Sequence, residues 1–237
     1  MRLFDHDSGI MRFLGRVTDL AILNVVALIF CLPIFTIGAS LTATHYVAIR
    51  MKRGTEGYVI PNFWKSFKEN LKQSTGIWFI LSILTGMSSF GVFVMIQAGG
   101  TFNSIVSGIL VVGLLGCIFT TMWAYPLQSK FVNLVKGTLR NALFFGMRYI
   151  FRTLYMVMLN LLPVVVLLLG WRTFPFVFLF GISLPVYFST FVYNKIFEDL
   201  EEQILERQRE EQGEPELGDW EAAEQRAIAE AEAEKKR

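Results

Sequence analysis

Charge is what this sequence has least of. No Asp, Glu, Lys or Arg occurs in the 57 residues from Gln73 to Ser129, and charged residues make up only 18% of the chain, below the soluble norm of about 25%. Histidine and cysteine are equally scarce, at two each: His6 and His45, Cys31 and Cys117. Neither histidine sits in an H-E-x-x-H setting, and both cysteines lie in apolar runs without metal or disulfide spacing, so they read as buried small side chains. There is no Gly-rich phosphate loop, no pair of intramembrane aspartates and no Ser with a His partner. Metal hydrolysis, nucleotide-driven motion and covalent catalysis therefore have no residues to carry them. The sequence points to a non-enzymatic chain with no cofactor and no metal.

Apolar residues fill the space instead: 53% of the 237 residues are hydrophobic and 22 are Phe. One helical crossing needs about 20 apolar residues, so the run from Gln73 to Ser129 holds two. Ala98-Gly99-Gly100-Thr101-Phe102-Asn103 supplies the turn, which predicts helices near 74–97 and 104–127. From Thr153 to Asn194 the only charge is Arg172, in a Gly170-Trp171-Arg172-Thr173 turn of headgroup type, which predicts crossings near 153–169 and 173–194. The run from Leu20 to Ile49 is interrupted by Pro33 and then by Gly38-Ala39-Ser40. It forms either one kinked helix or a hairpin with helices at about Ile10–Leu32 and Ala39–Arg53 and a turn at Pro33-Ile34-Phe35-Thr36.

Charge bias favours the hairpin. Segments 50–72 and 130–152 hold six and five basic residues, against none in 98–103 and one in 170–172, so the first pair is cytoplasmic. A hairpin also brings Arg2, Arg12 and Arg16 inside. The expected fold is thus an all-α, polytopic membrane bundle of three helical hairpins, with five or six membrane helices and both termini cytoplasmic. A cleaved leader competes for Leu20–Leu32, but Asp5, Asp7 and Asp19 precede that run and bulky Ile37 stands three before the Gly38-Ala39 cut.

Segments 60–72 and 130–140 read as interfacial elbow helices. Phe63, Trp64 and Phe67 alternate with Lys65, Lys68 and Lys72 in the first. In the second, Lys130, Lys136 and Arg140 oppose Phe131, Val135 and Leu139. Such surfaces serve topology and lipid anchoring, or dock a cytoplasmic partner. The inner leaflet accounts for their charge without nucleic acid. Ser104, Gly108, Gly116 and Thr120 share one ridge, which together with Ser82 and Gly86 predicts close helix packing within the chain or with a second subunit. Arg16 and Asp19 are spaced to pair across a helical turn, and His45 is expected near the inner interface, solvated or hydrogen-bonded.

Residues 1–197 hold sixteen basic and five acidic residues (+11), whereas 198–237 hold six and fifteen (−9). The tail is therefore a separate acidic cytoplasmic segment. Ile196, Leu200 and Ile204 make it amphipathic up to a break at Gly213-Glu214-Pro215, beyond which a weak second helix or disorder is expected.

The run Phe4-Asp5, Asp7-Ser8, Arg12-Phe13, Arg16, Asp19-Leu20, Leu23-Asn24, followed by Leu32-Pro33-Ile34, Thr36-Ile37-Gly38-Ala39-Ser40 and Thr42-Ala43, resembles the YesL-like family of bacterial membrane proteins, the domain of unknown function 624. Glu56-Gly57-Tyr58, Phe63, Phe67-Lys68-Glu69-Asn70 and Gln73 continue the likeness. The spans to about residue 195 agree only in hydrophobic character, and the acidic tail lies outside. The resemblance implies a bacterial plasma membrane and an accessory role beside permease subunits of a carbohydrate uptake system, with a small transporter or channel as the alternative. It supplies no catalytic residue. It singles out Arg12, Arg16, Asp19, Asn24, Pro33, Gly38 and Ser40, a charged helix entrance followed by a tight turn.

Overall fold

The computed structural model describes residues 9–55, 57–131 and 134–212. The motif residues Phe4, Asp5, Asp7 and Ser8, together with Glu56, Val132, the 213–215 break and the helix expected beyond it, lie outside the described residues. No strand occurs among those described, and the fold is all-α. The chain divides into two units, Met1–Val192 and Tyr193–Arg237.

The first unit begins with α1 (Gly9–Cys31) and α2 (Ile37–Arg53), joined by a 3-10 turn at Ile34–Thr36. This is the hairpin that Pro33 predicts. Pro33 cannot continue α1, and Thr36 Oγ1 closes the end by donating to the carbonyls of Phe30 and Pro33 at 2.6 and 2.7 Å. At the far end of α2, Gly54 takes φ +67° and its N–H returns to Arg50 and Met51 carbonyls, a glycine C-cap.

α3 (Val59–Ala98) and α4 (Thr101–Lys130) form the second hairpin around Gly99 and Gly100, whose φ values of +63° and +86° require glycine. The 60–72 elbow is not a separate helix. It is the opening of a 40-residue α3, about 60 Å long, because nothing from Asn62 to Thr75 breaks a helix. Nor are its aromatics lipid anchors as a set. Phe63 and Phe67, one turn apart, are buried against Phe30 and only Trp64 stays exposed, while Lys65 and Lys68 point outward.

The second elbow does form a helix, shifted to α5 (Val135–Arg148) and separated from Lys130 by a break. Thr138, Ala142 and Gly146 turn inward, leaving Lys136, Arg140, Phe144 and Met147 exposed together. α6 (Ile150–Leu168) and a 3-10 turn at Trp171–Thr173, entered through Gly170 at φ +138°, lead into α7 (Phe174–Phe180) and α8 (Ser183–Gln212). The expected single span 173–194 is instead two helices bent by 51°. Among the described residues four helices are long and apolar enough to cross a membrane, or five if the bent pair counts as one.

The core lies where α1, α2 and the start of α3 meet. Leu20, Leu23, Ala27, Ala39, Ala43, Val47, Met51, Val59, Phe63 and Phe67 form one buried cluster. The second unit, among its described residues, is the continuation of α8 to Gln212. Within it Asn194 Nδ2 donates to Glu198 Oε1 at 2.8 Å and the Tyr193 and Phe197 rings lie 5.1 Å apart.

Candidate functional site

A helix that bends by 51° in an apolar setting must place the backbone groups it frees, and α1 supplies the solution. Asn24 is fully buried. Its Nδ2 donates to the Phe178 carbonyl at 2.7 Å, and its Oδ1 accepts from the Ile182 and Ser183 N–H groups at 2.7 and 2.8 Å. In a continuous helix the Ile182 N–H would bond the Phe178 carbonyl directly, so the Asn24 amide has entered the ladder at one rung and taken both partners. Pro185 reinforces the break because it has no N–H for the carbonyl of Gly181. Arg16 ties the same helices together further along: its Nη1 donates to Tyr187 Oη at 3.0 Å, a partner its spacing to Asp19 does not suggest.

α2 is the polar counterpart. Gly38 packs so closely on α3 that a Cβ there would stand 2.3 Å from the Ser74 carbonyl oxygen and 2.7 Å from Trp78 Cβ. Ser40 Oγ donates to the Ala27 carbonyl at 2.9 Å, and Thr42 Oγ1 lies 2.8 Å from Ser74 Oγ. Small residues let the backbones approach while hydroxyls pair across them. His45 belongs to this interior at 7% exposure, which removes the solvated alternative of the two expected for it. Pro33 stands exposed at the turn, Arg12 is exposed on α1, and Asp19 lies beside Gly57, Tyr58 and Val59.

The expected ridge on α4 does not make the α3–α4 contact. No atom lies within 4 Å of where a Cβ would stand on Gly86, Gly108 or Gly116. The close approach is made by Gly91 against Leu110 and by Gly113 near Ser88 Oγ. Several glycine faces were available on α4, and spacing alone does not choose among them. Ser104 and Thr120 turn their hydroxyls to the carbonyls of Gly100 and Gly116 on their own helix.

Three features escape the sequence reading. Gln128 is a buried hub whose Nε2 donates to Asn70 Oδ1 at 3.1 Å and Gln73 Oε1 at 2.5 Å, while its Oε1 accepts from Thr138 at 2.9 Å. Trp123 Nε1 donates to Thr153 Oγ1 at 2.8 Å, joining α4 to α6. Beside the amino-terminal end of α2, where α3 and α4 run on, a cleft of about 560 Å³ opens between Leu41, Trp78, Ser82, Thr85 and Tyr125. An amide inside an apolar run is the signal that points to Gln128; nothing local marks the cleft.

Among the described residues no three His, Cys, Asp or Glu side chains converge as a metal site. The arrangement offers helix clasps, a packed polar interior and a lateral cleft.

Several helices long and apolar enough to cross a bilayer, with apolar side chains exposed along them, define a multi-pass membrane protein. Residues 20–92 match the family model described as "Protein of unknown function, DUF624", which bears out the family likeness drawn from the amino-terminal motif. No curated protein and no solved structure matches the chain.

Proposed function

We propose that this chain is an accessory component of a membrane assembly, acting by packing its helices against a partner in the bilayer. The observation that carries this reading is the uncovered outer part of the α3–α4 hairpin. Ile83, Met87, Phe90 and Phe93 on α3, and Ile105, Ile109 and Val112 on α4, are all exposed, and Gly108 and Gly116 between them have open space over their Cα atoms. Open glycines let a second helix come close. Family likeness suggests the partner class, permease subunits of a carbohydrate uptake system. Charge bias favours cytoplasmic termini, and the family likeness suggests a bacterial plasma membrane.

Purification from native membranes tests the proposal. The full chain should bring down permease subunits stoichiometrically. Gly108→Leu and Gly116→Leu should lose them while keeping the melting temperature of the parent, since no described residue comes within 4 Å of either Cβ position. Retention of the partner by both variants would refute the role of this face.

A second reading, a small transporter or channel, draws on the broken α7–α8 span, because broken helices line substrate paths in transporters. The Phe178 carbonyl and the Ile182 and Ser183 N–H groups at this break are held by Asn24 rather than left for a solute, which weighs toward the accessory role. Solute flux in liposomes holding this chain alone would reverse that preference.

A further inference from the structure

The cleft between α2, α3 and α4 combines two properties that an ordinary lipid-facing groove lacks. The first is a set of hydrogen-bonding groups without partners among the described residues. Tyr125 is 5% exposed, and its hydroxyl makes no hydrogen bond there. Ser82 and Thr85 likewise make none, although Thr120 and Thr121 on the facing helix donate to carbonyls one turn back, as do Thr42 and Thr44. Tyr125 is almost enclosed while Thr85 is half-exposed and Ser82 exposed on the cleft wall, so each hydroxyl gains about 0.5–1.5 kcal/mol from an acceptor that enters the cleft.

The second property is space. The cleft holds about 560 Å³, within the usual range for small-molecule sites, and no ionisable carboxylate or ammonium lines it. Gly86 leaves it open at one end, with nothing within 4 Å of a Cβ position. On α3 it is flanked by the exposed apolar side chain of Phe79, next to Trp78 in the chain.

We propose that this cleft binds one acyl-ester lipid, whose ester oxygens accept from Tyr125, Ser82 and Thr85 and whose chain lies along Leu41, Trp78 and Gly86. A partner helix offers only a second bond at carbonyls already used within it, as the Ala27 carbonyl gives Ser40, whereas a lipid ester oxygen is otherwise unbonded. Hydroxyl donors facing a lipid-filled groove call for acceptors that are not internally satisfied, and the ester oxygens of membrane lipids are the commonest such groups. The cleft lacks charge, so the binding reads the ester region and ignores the headgroup. It is also distinct from the open Gly116 face, which lies on the other side of α4.

Native mass spectrometry of the full chain, delipidated in detergent and titrated with diacyl phosphatidylglycerol, diacyl phosphatidylcholine or the diether analogue of either, tests the proposal. One tightly held diacyl lipid per chain is expected, with the two headgroups bound within about twofold of each other and the diether form bound several-fold more weakly. Tyr125→Phe should weaken the diacyl lipid by roughly two- to tenfold, the worth of one hydrogen bond. Gly86→Leu starts from a Cβ with no described atom within 4 Å and extends into the cleft, so it should abolish the bound lipid at an unchanged melting temperature. Equal affinity for diacyl and diether lipids, or a Gly86→Leu variant that still holds the lipid, would overturn the proposal. So would a Gly86→Leu variant that loses a co-purifying membrane protein instead of a lipid.

Discussion

Replacing Asn24 by Leu keeps the side-chain volume nearly constant and removes only the amide, so it isolates the clasp on the α7–α8 break. The substitution strips a donor from the Phe178 carbonyl and an acceptor from the Ile182 and Ser183 N–H groups, in a site with no exposure. At about 1–3 kcal/mol for each buried group left unpaired, the cost approaches 3–9 kcal/mol. Interhelical hydrogen bonds measured in membranes average nearer 0.6 kcal/mol, which gives about 2 kcal/mol for three. The helix can also recover part of the loss by straightening so that Ile182 N–H bonds Phe178 directly, though Pro185 still leaves the Gly181 carbonyl without its rung. The expected destabilisation is therefore about 2–5 kcal/mol, read as reversible unfolding of the purified full chain in mixed micelles. Asn24→Asp should fall between the two, because a carboxylate accepts from both N–H groups but gives nothing to Phe178 when ionised. A loss below about 0.5 kcal/mol for Asn24→Leu would show that the break is held by Pro185 and packing alone, and the account of the clasp would be wrong.

Gly38→Ala should destabilise by about 1–3 kcal/mol in the same assay, since its Cβ would sit 2.3 Å from the Ser74 carbonyl and α2 and α3 must separate; an unchanged melting temperature would refute that contact. Gln128→Leu should cost about 1–3 kcal/mol through the unpaired Thr138 hydroxyl and the loss of Asn70 and Gln73, and a neutral result would mean those groups re-pair. Cysteines placed at the exposed positions Gly57 and Lys136 should be shielded from an impermeant thiol reagent in intact cells and one at Gly100 should react, with the reverse pattern inverting the topology. A chain ending at Gln212 should insert and melt as the parent does, because residues 213–237 carry few large apolar groups to bury; aggregation of that chain alone would make the tail part of the fold.

The hairpin turns were legible because their causes are local. Pro33 stops α1, Gly99 and Gly100 supply positive φ, and Gly170 opens the turn before Trp171, each within a few residues of the chain reversal. The continuity of α3 was hidden because Lys65, Lys68 and Lys72 suggested a helix lying along the headgroups. Charge tells what a helix touches, not where it ends, and no breaker stands between Asn62 and Thr75. The bend at Gly181 and Ile182 was hidden for a different reason: the residue that completes it is 154 positions away from Phe178. Asn24 was singled out by family likeness, but its partners were not readable from any spacing. Within the chain the ridge is out of register with α3, since Gly113 and Gly116 sit on adjacent faces of α4 and only the three-dimensional partner shows that Gly113 is used; its other expected contact, with a second subunit, belongs to the open face.

The number of crossings turns on α2. Its 17 residues reach about 25 Å, slightly short of the roughly 30 Å hydrocarbon core, and its composition is too polar to count as a span by length and apolarity. That criterion assumes a helix whose surface meets lipid. α2 has Gly38, Ala39, Ser40, Thr42, Ala43, Thr44, His45, Val47, Ala48, Ile49 and Met51 buried, and Ser40, Thr42 and Thr44 hydrogen-bond to α1, α3 and α2 itself. A helix enclosed by protein pays no lipid-transfer cost for its hydroxyls, so polarity does not argue against a position at bilayer depth. Arg50, Lys52 and Arg53 in its last turn suit both the negative end of the helix dipole and a cytoplasmic surface, and the Lys52 ammonium lies 3.6 Å from the centre of the Phe191 ring. The helix that hydropathy leaves out packs against α1, α3 and α4.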